Sequence, residues 1–224
     1  MQRDSQFQLI TGTGQQYSII SARNRSDLAV LAFMAGRLHY LLAQPTTTSE
    51  QSLLYHVQER HQRAHRVAMY QPLALQQWQA SDLPFVGFIS HRRELVEPFV
   101  LEDIQTVDQT MLIELKHNPG LLSYSSLELR PGYWYNLVLM HDERAKEHFR
   151  HSKTHAYAAY TLSPRYYEWI RLHHGLLIGG LGQCKFQLGS TRYYFFADQS
   201  GPTIYDVTHH ERIEYQPCKS SSKS

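Results

Sequence analysis

Apolar positions change their period along the chain, and the changes mark the elements. Phe7-Gln8-Leu9-Ile10 and Tyr17-Ser18-Ile19-Ile20 flank Thr11-Gly12-Thr13-Gly14, which predicts a β-hairpin at the start. With Ser26 or Asp27 as cap, Leu31, Met34, Ala35, Leu38 and Leu42 recur at helical spacing, so a buried helix is predicted from there to Leu42. Pro45 to Glu50 reads as a loop. Leu53, Leu54 and Val57 then open a second predicted helix over Gln51 to Tyr70, stopped by Pro72, and Leu73 to Gln79 forms another short one.

From Phe85 the pattern is clearer. Phe85-Val86-Gly87-Phe88-Ile89-Ser90 is an uncharged, aromatic and β-branched run, a buried strand. Val100, Ile104, Val107, Met111 and Leu115 place one apolar stripe on a helix over Glu97 to His117, ended by Asn118-Pro119-Gly120. Two strands follow, Leu121 to Leu129 and Tyr133 to Met140, joined by Arg130-Pro131-Gly132. Both faces of the second strand carry large side chains. Asp142 caps a helix to about Tyr160 whose stripe is Ala145, Phe149, Ser152, Ala156 and Ala159, with Phe149 as the large anchor. Ser163-Pro164 ends it, and Arg165 to Leu172 alternates as a fourth strand.

Beyond Leu172, His173 to Gly182 reads as a glycine-rich joint. Gln183 to Leu188 and Thr191 to Phe196 form a hairpin about Gly189-Ser190, and Thr203 to Val207 adds a strand. The tail 217–224 is too polar to pack and is expected to be disordered.

The order strand, helix, strand, strand, helix, strand predicts an α+β, ferredoxin-like βαββαβ sheet over residues 85–177, with two helices on one face. Residues 1–84 form a mainly helical N-terminal region with a short β-prone start, and 178–216 a β-hairpin extension of the sheet. The sheet face away from the helices would expose an apolar patch, and a second sheet is the simplest cover. A homodimer is therefore expected, with residues 1–84 as the alternative cover.

Composition narrows the class. The chain has 224 residues, 42% hydrophobic and 19% charged, and a formal charge of +2 from 22 basic and 20 acidic residues, which makes no electrostatic case for nucleic acid. No apolar run approaches a membrane span and no secretory segment opens the chain, so a cytoplasmic protein off the membrane is expected. Cys184 and Cys218 are read as thiols. The glycines at 12 and 14 lack the third glycine of a dinucleotide loop, since Tyr17 stands there. Arg60 to Arg66 is a local basic cluster, read as a solvated helix face before an anion site.

Pro119 to Tyr124, the strand Tyr133 to Met140, the helix carrying Ser152-Lys153-Thr154-His155 and the strand Tyr166 to Leu172 together resemble the dimeric α/β-barrel superfamily, of the antibiotic-biosynthesis and haem-degrading monooxygenase type. The resemblance implies a monooxygenase-like enzyme acting on a flat apolar small molecule in a pocket between sheet and helices. Trp134, Tyr135, Asn136, Phe149, Tyr167 and Trp169 are the residues to line it. Leu139-Met140-His141 stands where the haem-degrading type carries its tryptophan, so the cofactor is left open. His155 and His148 are the candidate catalytic groups, because both fall on one flank of the buried stripe and an imidazole can donate or accept a proton near neutral pH. Two other classes stay open: a non-catalytic binding or assembly module on the same scaffold, and a metal-dependent enzyme drawing on His151 and His155 or His173 and His174. No residues are assigned as metal ligands.

Overall fold

The computed structural model describes residues 7–9, 14–44, 51–78, 80–197 and 202–215, without the side chains of 7–9, 14–21, 148–150 and 210–214. The chain is α+β. Eight strands form one antiparallel sheet: β2 (Leu53–Gln58), β3 (Ala64–Met69), β4 (Leu83–Arg92), β5 (Leu121–Arg130), β6 (Tyr133–Met140), β7 (Tyr167–Ile178), β8 (Lys185–Phe195) and β9 (Thr203–Tyr215). The short β1 (Phe7–Leu9) adds to one edge, parallel to β9. The spatial order is β1-β9-β8-β7-β4-β6-β5-β3-β2.

Helix α1 (Gly14–Leu42) covers one face, burying Leu28, Leu31, Met34, Leu38 and Leu42 against Val67, Phe85, Ile89, Leu127, Leu137, Leu139 and Phe186. Each of these leucines contributes about 1.5–3 kcal/mol by leaving water. The face expected to need a second sheet is thus covered within the chain, which removes the motive for a homodimer there. The helix lies closest at Gly87, where an added Cβ would stand 2.6 Å from the Leu31 Cδ1. Helix α2 (Pro72–Gln77) follows β3, and opposite α1, α3 (Pro98–Lys116) and the helical segment after β6 share the other face and touch one another. Leu112, Leu115 and Ala145 meet Leu121, Val86, Val138 and Met140 there.

Several expected elements are corrected. Tyr17 to Ile20 belongs to α1 and not to a hairpin, because extending a formed helix needs no new nucleus and isoleucine costs it only tenths of a kcal/mol. The turn 11–13 lies outside the described residues. The helix expected over Gln51 to Tyr70 is the hairpin β2–β3. Leu53, Tyr55 and Val57 point inward with period two, and the reversal is made by His61 and Gln62 at positive φ, so no Gly, Pro or Asn announces it.

The helix expected over 142–160 is broken into α4 (Ala145–Arg150), α5 (Lys153–Tyr157), a π turn (Ala158–Leu162) and α6 (Ser163–Tyr166). Ser152 takes an extended conformation between α4 and α5 and caps α5, accepting the His155 N–H at 2.9 Å. The side chains of Phe149, the expected anchor, and of His148 lie outside the described residues.

The glycine-rich joint is half strand, since β7 runs through Gly175 to Ile178. Gly175 permits a close approach there: a Cβ would run into the Gln187 carbonyl and stand 2.8 Å from Phe85. Gly189-Ser190 is a bulge within β8, and the hairpin that extends the sheet is β8–β9. Residues 217–224, expected to be disordered, lie outside the described residues. Among those described, no helix is long and apolar enough to cross a membrane.

Candidate functional site

Side chains of strand residues in register form rows across a sheet. On the α1 side the outermost row is Arg130, Tyr133, His91, Trp169 and Phe195, on β5, β6, β4, β7 and β8. The next is His65, Leu127, Tyr135, Ile89, Arg171 and Tyr193, and the third contains Ser125, Leu137, Gly87, His173 and Thr191. Helix α1 crosses the third row at Gly87. Its earlier residues bring polar groups onto polar positions of the second and third rows, and the outermost row stays open.

Asp27 is the centre of the polar contacts. Its carboxylate is 1% exposed and accepts four hydrogen bonds: from Arg171 Nε at 2.7 Å and Nη2 at 2.8 Å, from His173 Nε2 at 3.0 Å and from the Tyr135 hydroxyl at 3.1 Å. A carboxylate only accepts, so His173 presents Nε2–H to it, and its Nδ1 lies 2.9 Å from Thr191 Oγ1. Thr191 Oγ1 in turn lies 2.9 Å from His209 Nε2 on β9, and Tyr193 donates to Asn24 Oδ1 at 2.9 Å. Burial by itself would raise the Asp27 carboxyl, but the hydrogen bonds and charges of His173 and Arg171 outweigh it and hold it below its ordinary value. Burial and the Asp27 charge push the Tyr135 phenol up, so it stays a donor. Neighbours on four strands, β6 to β9, are thereby fastened to α1 through two of its residues.

A second clamp fixes the other end of the site. Glu59, after β2, accepts from Arg37 of α1 at 2.8 and 2.6 Å and lies 3.0 Å from His65 Nδ1. It holds the β2–β3 reversal, and with it Arg63, beside the sheet.

Between these clamps opens a cleft of about 530 Å³, lined by Arg23, Arg63, Arg130, Arg171, Tyr133, Tyr135, Trp169, Phe195, Leu129 and Ile170. Four of the lining residues are arginines and none is acidic, and one of the four, Arg171, is already paired with Asp27. Among the described residues Arg23, Arg63 and Arg130 have no carboxylate partner. The rings of the outer row adjoin one another: the Arg130 guanidinium lies 3.6 Å over Tyr133, His91 stacks on Tyr133 at 3.9 Å, and Trp169 stands tilted at 5.9 Å from His91. Arg171 lies 4.2 Å over Trp169. A second aromatic group, Phe195 edge-on to Tyr205 at 5.8 Å, starts on the next strand. The two groups meet where Trp169 stands opposite Phe195, both facing the cleft.

Of the residues singled out from sequence, Tyr135 and Trp169 line this cleft. Trp134, Asn136 and Tyr167 are on the opposite face: Asn136 accepts from Tyr124 at 2.9 Å, and Tyr167 packs on Phe88 and Tyr166. Consecutive strand residues point to opposite sides, so Trp134 and Tyr135 cannot share a pocket on this sheet. His155 is exposed on α5, on the far side from the cleft, and the side chain of His148 is not described. Ser152 breaks the helix between His151 and His155, which ends their i, i+4 relation, and His173 and His174 point to opposite faces. Among the described residues no three His, Cys, Asp or Glu side chains are grouped to hold a metal.

Asp27, Asn24, Arg171 and His173 were not legible as a site. A signal existed: Asn24, Asp27, Leu31, Ala35, Leu38 and Leu42 are spaced by three and four, so the buried stripe of α1 continues into two polar residues. Reading Asp27 as the cap concealed it. No protein-family model matches this chain, and no curated protein and no solved structure matches it.

Proposed function

We propose that the protein is a ligand-binding module whose ligand is a flat, negatively charged small molecule seated in the cleft between the outer row and α1. The observation that carries the reading is the convergence of Arg23, Arg63 and Arg130, without carboxylate partners among the described residues, on a cleft walled by Trp169 and Phe195. Guanidinium forks are suited to planar, multi-oxygen anions, and the aromatic walls accept a ring between them. Like charges gathered at one place repel, so a fold gains nothing from them without an anion. This departs from the flat apolar ligand expected from sequence: the rings are retained, but the arginines select for charge.

The strand order β7-β4-β6-β5, with α3 and α4–α6 on one face, supports a ferredoxin-like unit over residues 85–177 of the kind from which the dimeric α/β-barrel superfamily is built. Here α1 takes the place that a second sheet takes in such a barrel, and the cleft opens on that side, not between sheet and crossover helices.

The test is calorimetric titration with 2-naphthoate, 2-naphthyl phosphate and the neutral 2-naphthylmethanol. The anions are expected to bind and the neutral ring to bind at least about tenfold more weakly, a difference of about 1.4 kcal/mol. Arg23→Ala and Arg130→Ala, both at exposed positions, should weaken anion binding with the melting temperature unchanged. Equal binding of the neutral ring, or full affinity in both variants, would overturn the reading.

A further inference from the structure

Resting on that reading of the cleft, we infer that its ligand class is a phosphate monoester that also carries an aromatic ring, the chemistry shared by nucleoside monophosphates and phosphorylated aromatic metabolites. Three observations narrow the anion. The first is charge: four arginines less the one neutralised by Asp27 leave three positive charges at the cleft with no carboxylate partner among the described residues. A carboxylate supplies one negative charge, whereas a phosphate monoester supplies roughly 1.5 to 2 near neutral pH.

The second is the number of acceptors. Arg23 comes from α1, Arg63 from the β2–β3 hairpin and Arg130 from the end of β5, so the guanidinium groups approach from three separate elements. A carboxylate has two oxygens and is saturated by one or two forks, while a phosphate monoester presents three terminal oxygens and has one for each.

The third is the division of labour within the cleft. Arg171 is 8% exposed, held by two bonds to Asp27 and laid over Trp169, so it is fixed before any ligand arrives and forms part of the ring-facing floor. Among the described residues its three companions are tied to no carboxylate, and Arg130 rests only on the Tyr133 ring, so their charges are left for an anion. The wall of Trp169 and Phe195 and the three arginines line one cleft, which suits a ligand with a flat body and a compact, highly charged end.

Calorimetric titration of the full chain with 2-naphthyl phosphate, 2-naphthyl sulfate, 2-naphthoate, inorganic phosphate and adenosine monophosphate tests the class. The phosphate ester is expected to bind about tenfold or more tightly than the carboxylate, with the sulfate between them, and inorganic phosphate far more weakly than either ring-bearing anion. Arg23→Ala, Arg63→Ala and Arg130→Ala should each weaken the phosphate ester, while at least one of the three leaves 2-naphthoate unchanged. Adenosine monophosphate binding more tightly than naphthyl phosphate assigns the nucleotide source, and the reverse assigns a phosphorylated ring; both support the class. Carboxylate binding as tight as phosphate overturns this inference and leaves the anion-binding reading standing, whereas no binding by any ring-bearing anion overturns both. Tighter binding of a single-stranded hexanucleotide than of the mononucleotide also overturns it, in favour of a strand.

Discussion

Replacing Asp27 by Asn keeps the shape of the side chain and removes its charge, and the contacts say what that costs. Asp27 Oδ2 accepts from Arg171 Nε and His173 Nε2, and Oδ1 from Arg171 Nη2 and Tyr135. An amide can serve one of these two pairs through its oxygen; its NH2 then faces the other pair, donor against donor. Arg171 is left charged and nearly water-free with half its partners. Breaking a buried pair in this way costs about 3–5 kcal/mol, most of it the uncompensated charge. In a chain of this size that is roughly 2–4 °C of melting temperature per kcal/mol. Urea unfolding at pH 7 is the assay, with the midpoint expected to fall and the m-value to hold. The companion variant Asp27→Leu with Arg171→Met removes both charges, and should recover part of the loss, a coupling of about 1–3 kcal/mol, while His173 and Tyr135 still lack their acceptor. If Asp27→Asn unfolds within about 0.5 kcal/mol of the natural chain, the carboxylate is not the anchor of α1 and the reasoning fails.

Two further outcomes follow from the same packing. Gly175→Ala should destabilise far more than Gly87→Ala, because its Cβ meets the fixed Gln187 backbone whereas that of residue 87 meets the movable end of Leu31; overpacking of the first kind costs about 1–3 kcal/mol or more, and equal urea midpoints would refute the close approach. Stability should also fall as pH drops from 6.5 to about 4. Burial, with the Lys146 and Arg192 charges, holds His174 down at about 4, and burial with the His173 charge does the same for His209. The unfolded chain therefore takes up protons that the folded one refuses, at up to about 1.4 kcal/mol per pH unit for each histidine. Asp27, whose folded value lies below its ordinary 3.8, adds its own loss only below that pH. A urea midpoint that stays flat between pH 7 and 4.5 would show that neither histidine is held neutral.

Local pattern alone determined the strands at Phe85, Leu121 and Tyr133 and the helix ending at Lys116, because each is a long run of one period closed by Pro and Gly chemistry that acts within a few residues. Tyr135 and Trp169 were expected in a pocket between the sheet and its crossover helices, and instead line the cleft on the α1 side. Pattern failed where the deciding neighbour was distant in sequence. His61 and Gln62 turn the chain without glycine because Arg37 and His65 hold Glu59 beside them, and Gly175 looks like a joint until the Gln187 carbonyl is seen against it. The site is of the second kind. Asp27 and Arg171 are 144 residues apart, and Arg23, Arg63 and Arg130 belong to three elements that only the packing of α1 across the sheet brings to one cleft. A carboxylate next to a helix start reads as a cap, whereas its partners, and hence its burial and its charge, are set by strands that pair long after it in the chain.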